Sequence, residues 1–429
     1  MTDTLEQRYK LEAGGLKRNM AQLVIGLTGS FGSGCSTVAS ILEQSFGFRR
    51  FSMSAPIREE WTRRSTEPPR REDLQRLGNE LRQTHGSDYL AKVLDEKDGL
   101  GSAAKHAVVE TIRNRAEIEY FRERYRGFYL IAVLCSQEER WKRIREEYVT
   151  KGLDQQDFFS DDARDYIQEE EYGQQVALCV DEADLVISNE TSFESSLAAR
   201  PAMAEKLAPY IKLLTGEDTS LPPETDEICM TIAYAQARRS FCLKRHVGAV
   251  ITNDEGNIIA TGFNENPVTM SPCYIEFRYC YKEAMMSRQL KGTRCPDCQT
   301  ELPELQEPFR CSSCSSNLKL LYFPDKGMRW CTALHAEERA LINAAGREIV
   351  GGTLYTTTFP CFNCARQISQ AGIKRVFYVE AYPQLDVLPF LKRNKVEVSP
   401  FEGIKASVFD RLYSSFRSQM EQKYRLGGP

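Results

Sequence analysis

The sequence predicts an α/β protein built as two consecutive units. A doubly wound parallel sheet comes first, then a second α/β unit with a mixed sheet and a cysteine-rich insertion. Three observations lead there. The chain has 429 residues, more than one hydrophobic core ordinarily serves, so two domains are the natural expectation. Its first half alternates short apolar runs with charged helical segments, the pattern of a parallel sheet covered on both faces. The stretch Leu214-Thr-Gly-Glu-Asp-Thr-Ser-Leu-Pro-Pro223 breaks that pattern and reads as a linker. The bounds expected are 20–217 and 224–415, with the insertion at about 290–318.

The elements follow in order. Leu23-Val-Ile-Gly-Leu-Thr28 is a short apolar strand, followed by a glycine-rich turn and an apolar helix beginning near Ser36. Ala107–Glu110, Phe128–Leu134 and Asp184–Asn189 supply three more strands, separated by helical stretches. Past the linker, a helix is expected over Glu227–Ser240, with strands at Val247–Thr252 and Ile258–Gly262. Ala333–Ala345 reads as helix, Thr353–Thr357 as strand and Cys361–Ala371 as helix. Lys374–Glu380 and Val396–Val398 finish the sheet. No internal repeat is seen.

Composition narrows the class of function. The chain is 41% hydrophobic and 27% charged, with a net charge of −4 and no dense Lys/Arg block. A protein that grips long nucleic acid concentrates basic charge on one face, and nothing here does. No apolar run approaches the roughly 20 residues that span a bilayer, and Met1–Met20 is too polar for a secretory signal. The expectation is a cytoplasmic protein without a membrane partner, whose fourteen cysteines stay reduced. Nine of them lie between Cys273 and Cys364, which points to metal rather than disulfides.

Two cysteine sets have ligand spacing. His335-Ala-Glu337 and Pro360-Cys361-Phe-Asn-Cys364 each open an expected helix. His335, Cys361 and Cys364 make three ligands, the number a catalytic zinc takes while keeping a fourth position open. Helix N-termini favour thiolates. Glu337 stands two residues past a ligand, so its carboxylate is available for proton transfer instead of ligation. This His-x-Glu…Pro-Cys-x-x-Cys arrangement is the signature of zinc-dependent nucleobase deaminases. Cys295-Pro-Asp-Cys298 and Cys311-Ser-Ser-Cys314 form two knuckles, the spacing of a closed four-thiolate zinc without catalytic role.

Residues Gly29-Ser30-Phe31-Gly32-Ser33-Gly34-Cys35-Ser36-Thr37 follow the first strand with the spacing of a Walker A loop. The glycines let backbone N–H groups wrap a phosphate at a helix start, and Ser36 can ligate Mg2+ brought by a nucleotide. The lysine that normally reaches the transferring phosphates is replaced by Cys35, which removes charge that phosphoryl transfer needs. Glu110 stands where a magnesium-supporting acid is expected. Binding without efficient transfer is therefore the expectation.

Several longer stretches carry a family resemblance. Arg239-Ser-Phe-Cys-Leu-Lys-Arg-His-Val-Gly-Ala-Val-Ile, Ala260-Thr-Gly-Phe-Asn-Glu-Asn-Pro267, the His335 helix and Pro360-Cys-Phe-Asn-Cys-Ala-Arg-Gln-Ile-Ser-Gln-Ala-Gly372 together resemble deoxycytidylate (dCMP) deaminases, from about Asp226 to Tyr413. The resemblance implies a cytidine-deaminase-like α/β/α fold acting on free deoxynucleotides. It places Asn264 at the sugar or base and Arg239, Lys244 and Arg245 on the phosphate side. Glu265 departs from the family, which commonly has glycine there, and so puts a carboxylate beside the expected sugar and phosphate.

Leu23 to about Glu194 resembles nucleoside-monophosphate and dephospho-CoA kinases, on the strand–loop–helix opening and Val109-Glu-Thr-Ile-Arg-Asn114. The order of the two domains is similar to two-domain anti-phage deaminases of the AvcD type. That likeness implies depletion of the deoxycytidine nucleotide pool during infection and an inhibitor, in some members a small RNA. A homo-oligomer is also expected. Two other readings compete: a polynucleotide deaminase acting on tRNA or single-stranded DNA, and a nucleotide-binding regulator whose zinc is only structural. The acidic balance and the missing basic, aromatic stripe disfavour the first, and an intact Glu337 disfavours the second. A housekeeping dCMP deaminase fused to a nucleotide sensor shares every motif above.

Overall fold

A computed structural model describes residues 22–96, 99–100, 106–166, 173–190, 199–217, 222–305, 309–316, 318, 322, 328–380, 387–409 and 412. The chain forms two compact units, Met1–Glu227 with Pro400–Pro429, and Ile228–Ser399.

In the first unit β1 (Leu23–Thr28) is buried along its whole length, as a strand covered on both faces must be. It pairs in parallel with β3 (His106–Glu110) on one side and β4 (Gly127–Leu134) on the other. A charged edge strand, β2 (Arg49–Ser52), pairs with β3, and β5 (Leu185–Ser188) pairs with β4, both in parallel. The helix Cys35–Phe46 turns Val38, Ile41 and Leu42 onto this sheet, and the helix Ala199–Thr215 adds Met203, Leu207 and Ile211 to the same core. The doubly wound expectation holds for all four strands read from the sequence. β2 was missed because Arg-Arg-Phe-Ser carries no apolar run.

The chain then returns to this sheet after the second unit. β11 (Gly403–Ile404) pairs antiparallel with β5, and Ile404, Val408 and Leu412 join the first core. The bound expected at 415 is therefore corrected: the second unit ends at Ser399. The physical reason is the edge of β5, which β11 covers. Buried Glu227 holds the outgoing and returning chain together, accepting from Glu224 N at 3.0 Å and Ile404 N at 2.7 Å. Of the expected linker, residues up to Thr215 continue the helix Ala199–Thr215, while 218–221 lie outside the described residues, as do Met1–Met20.

The second unit has a five-stranded mixed sheet in the order β10 (Glu397–Pro400), β9 (Arg375–Glu380), β8 (Thr353–Thr358), β6 (Gly248–Thr252) and β7 (Ile258–Phe263). β6 runs antiparallel to both β7 and β8, and β8 is parallel to β9. Helices Ala336–Asn343 and Phe362–Gln370 pack Ala336, Ala340, Cys364, Ala365 and Ile368 into its core. The insertion has its own small core of Met286, Leu290, Leu302, Phe309 and Leu318 around Cys295 and Cys311. No helix among the described residues is long and apolar enough to cross a membrane.

Candidate active site and metal centres

His335 is the N-cap of the helix Ala336–Asn343, and Cys361 is the N-cap of Phe362–Gln370. Both helix starts leave strand-side loops, so the two caps meet at one end of the sheet. Cys361 Sγ lies 3.4 Å and Cys364 Sγ 3.3 Å from His335 Nδ1, and the two sulfurs are 3.6 Å apart. Ligands about 2.0–2.3 Å from a tetrahedral zinc stand roughly 3.5–3.8 Å from one another, so this set fits the ion. Hydrogen bonding from Cys364, with further help from His335, overcomes burial and takes the Cys361 thiol down to about 4.

Glu337 is buried at 3% exposure, and that burial lifts its carboxyl to about 7. A carboxyl so placed can take up and release a proton under working conditions. Glu338, which the sequence reading passed over, ties the two helices together. Its Oε2 accepts from His335 N at 2.9 Å and its Oε1 from Gln367 Nε2 at 2.7 Å. The His335-x-x-Glu338 spacing is that of a capping box and was a usable signal.

Backbone contact fixes the height of this helix over the sheet. A Cβ on Gly262 would lie 2.2 Å from Ala336 O and 2.5 Å from Ala340 N, both backbone atoms. Only glycine permits that approach. Gly262→Ala is expected to push the helix bearing Glu337 away, costing roughly 1–3 kcal/mol of stability and about 10²-fold in turnover. Thermal melts and steady-state kinetics measure both, and unchanged turnover would show that the helix height is immaterial.

The four insertion cysteines also converge. All their sulfurs lie within 4.8 Å of one another, with Cys295–Cys314 at 3.6 Å and Cys298–Cys311 at 3.5 Å. Tetrahedral thiolates about 2.3 Å from zinc stand about 3.8 Å apart, so the set fits a closed site. The two knuckles share a turn: Gln299 and Ser315, each four residues past a first cysteine, both have φ 60°. The hydroxyls of Thr300 and Ser316 then sit 3.3 Å and 3.0 Å from Cys298 and Cys314. Hydrogen bonding with the side chain and backbone of Thr300 brings the Cys298 thiol down to about 6. This small repeat of Cys-x-x-Cys-x-Ser/Thr escaped the sequence reading because it is only six residues long.

The residues expected on the substrate side are arranged less simply. Asn264 is buried and braces the preceding loop, its Oδ1 accepting from Val247 N at 2.7 Å and its Nδ2 donating to Arg245 O at 2.8 Å. Lys244 is ion-paired with Glu283 at 2.5 Å and Arg245 with Glu380 at 3.2 Å, so both cations are already compensated. Arg239 lies 4.5 Å from the centre of the Phe263 ring, which also takes Arg339 at 4.1 Å. Glu265 is engaged by the backbone around it. Its Oε2 accepts from Phe241 N at 3.1 Å and its Oε1 from Asn266 N at 3.0 Å.

In the first unit, Gly29 to Thr37 line a cavity of about 970 Å³ with Ser52–Ala55, Arg58, Arg71, Glu110, Arg113, Arg143 and Asn189. Gly32 (φ 79°) and Gly34 (φ 102°) use the left-handed backbone that glycine alone adopts readily. Burial raises the Cys35 thiol above its ordinary value, so it contributes no charge of its own. Glu110, expected to support magnesium, is paired with Arg50: both its oxygens accept from Arg50 Nη2, at 3.0 and 2.8 Å. Thr111, next along the wall, has φ 70°, a strained conformation for a β-branched residue.

Residues 223–380 match the family described as cytidine and deoxycytidylate deaminase zinc-binding region, and residues 25–171 match the family described as AAA domain. The deoxycytidylate deaminase of Mycobacterium phage D29 is 31% identical over 156 residues, which cover 36% of this chain and 94% of the phage protein. This chain belongs to the deoxycytidylate deaminase family. The deoxycytidylate deaminase of Schizosaccharomyces pombe is 32% identical over 47% of this chain, and the match spans about half (48%) of that relative. A crystal structure of the cyanophage S-TIM5 dCMP deaminase in complex with dCMP and dUMP is 25% identical with a TM-score of 0.27, covering 42% of this chain and 99% of that one. The deaminase match includes the catalytic-type ligand set, Glu337 and the whole insertion, while the AAA match includes the glycine-rich loop.

Proposed function

We propose that this deaminase-family chain hydrolyses the exocyclic amine of a deoxycytidine nucleotide, dCMP or dCTP, to give the deoxyuridine nucleotide and ammonia. The observation that carries the proposal is the convergence of His335, Cys361 and Cys364 within 3.3–3.6 Å, with buried Glu337 two residues from the histidine. A zinc ion held there would supply Lewis acidity and bring the pKa of water to near neutral. Glu337 takes one proton from the attacking water and hands it to N3 of the pyrimidine. The oxygen of that water adds to C4; the same carboxylate then carries the proton of the added hydroxyl to the exocyclic nitrogen, the C4–N bond breaks, and ammonia leaves behind the uracil carbonyl. Asn264 holds the loop that faces the sugar, through its bonds to Val247 and Arg245. The insertion cysteines would hold a second, structural zinc.

The first unit, on this reading, binds a phosphorylated ligand and regulates the deaminase without transferring phosphate efficiently. Its glycines preserve the cradle, and Cys35 withholds the lysine charge. The order of domains supports a role in anti-phage defence by depletion of the deoxycytidine nucleotide pool, with a homo-oligomer held silent by an inhibitor such as a small RNA.

Purified protein assayed against deoxycytidine, dCMP, dCTP, single-stranded DNA and tRNA tests the substrate class. Turnover of dCMP or dCTP far above the others is expected, and preference for a polynucleotide would sink the proposal. Nucleotide extracts of infected cells should show less deoxycytidine nucleotide and more deoxyuridine nucleotide when the active chain is present. Pools identical to those with an inactive Glu337 variant would remove the case for depletion.

A further inference from the structure

A site that selects a nucleotide over a nucleoside needs positive charge for the phosphate. In the second unit Lys244 and Arg245 are paired with Glu283 and Glu380. Two other arginines meet on one aromatic ring. Arg239 Cζ lies 4.5 Å and Arg339 Cζ 4.1 Å from the centre of the Phe263 ring. Those distances keep the two charges within about 9 Å of each other, inside the roughly 10 Å over which salt screens them.

Neither charge is compensated by a carboxylate. Arg239 Nη1 donates to the neutral Gln236 Oε1 at 3.2 Å, and the buried Arg339 Nη1 has no hydrogen-bond partner. Among the described residues neither arginine makes an ion pair, and the carboxylate of Glu265 is taken up by Phe241 N and Asn266 N. An aromatic face orients a guanidinium without neutralising it. Two like charges held this close repel each other, and an anion between them relieves the repulsion. It also offsets the desolvation of the unpartnered nitrogen.

The ring stands at the catalytic end of the sheet. Phe263 ends β7 and precedes Asn264, which braces the loop at Val247. It pairs with Gly248, whose N–H donates to Thr357 Oγ1 near the end of β8 that leads to Cys361. Arg339 lies two residues past Glu337, and its N–H donates to His335 O at 3.0 Å.

We infer that Arg239 and Arg339, held on Phe263, form the phosphate site of the deaminase, and that Arg339 is a specificity-determining residue of the reaction. Guanidinium groups fixed in place match phosphate oxygens with directed donors, and a nucleoside has nothing to meet them. The phosphate does not change during deamination, so this contact is equal in ground and transition states and acts on KM. The inference rests on the reading that the site takes a deoxycytidine nucleotide.

The test is steady-state kinetics of the full zinc-loaded chain on dCMP and dCTP at low and moderate salt. Arg339→Gln should raise KM for the better substrate by about 10–100-fold, with kcat within about threefold of wild type. Arg339→Lys keeps the charge without the planar fork and should give an intermediate KM. Arg239 is exposed, so Arg239→Gln carries the test should the first variant fail to fold, and the same rise in KM is expected. Added salt should raise the wild-type KM more steeply than that of either glutamine variant. An arginine that only supported the helix bearing Glu337 would lower kcat instead. Unchanged KM in Arg339→Gln or Arg239→Gln, or a loss confined to kcat, would overturn the inference while leaving the deaminase reading in place. Wild-type protein that turns over neither dCMP nor dCTP would overturn that reading, and this inference with it.

Discussion

Glu337→Ala is expected to lower deamination by about 10²–10⁴-fold or more while leaving metal content at the wild-type level. Two features separate the proton carrier from the ligands. The three ligand atoms are already within 3.3–3.6 Å of one another without any carboxylate. Glu337 is nevertheless buried beside them at 3% exposure, where an unused carboxylate would only cost desolvation energy. Glu337→Gln is the stricter variant, because it fills the same space and removes only the ability to carry a proton. Metal analysis and steady-state kinetics on both variants decide the matter. Near-normal turnover in either would remove Glu337 from the mechanism.

Wild-type protein is expected to hold two zinc ions per chain, one at each converging ligand set. His335→Ala, Cys361→Ser and Cys364→Ser should each leave one zinc and no activity. Cys295→Ser or Cys311→Ser should remove the other ion and loosen the insertion, whose core holds few side chains besides these buried cysteines. Binding energy at a structural zinc is folding energy, on the order of 10 kcal/mol in small metal-dependent folds. The two insertion variants should therefore become protease-sensitive within 290–318 while the first three do not. A single zinc that persists in Cys361→Ser would show that only the insertion binds metal.

Both ligand sets were legible from short-range spacing because metal ligation constrains local sequence. A Cys-x-x-Cys turn and a histidine at a helix start place donors within a few residues, and helix caps have recognisable chemistry. The parallel sheet was legible for the same kind of reason: strands buried on both faces, such as Leu23–Thr28, must be apolar throughout. The glycine-rich loop announced itself because Gly32 and Gly34 occupy backbone conformations closed to other residues.

What the sequence left undecided depends on partners distant along the chain. Glu110 faces Arg50 across sixty positions, an ion pair that no local pattern announces. Lys244 and Arg245 meet Glu283 and Glu380, so cations that read as phosphate ligands are compensated. Glu265 bends back to cap backbone N–H groups of Phe241 and Asn266. β11 is two residues long, too short for any periodicity, and its place is set by the open edge of β5. Sequence by itself determined the two chemistries, a zinc-type centre with an acid–base carboxylate and a phosphate-type loop, since each is written in a few adjacent residues. Only the tertiary structure decided which charges remain available to those centres, because a charge is spent or kept by what lies across from it in space.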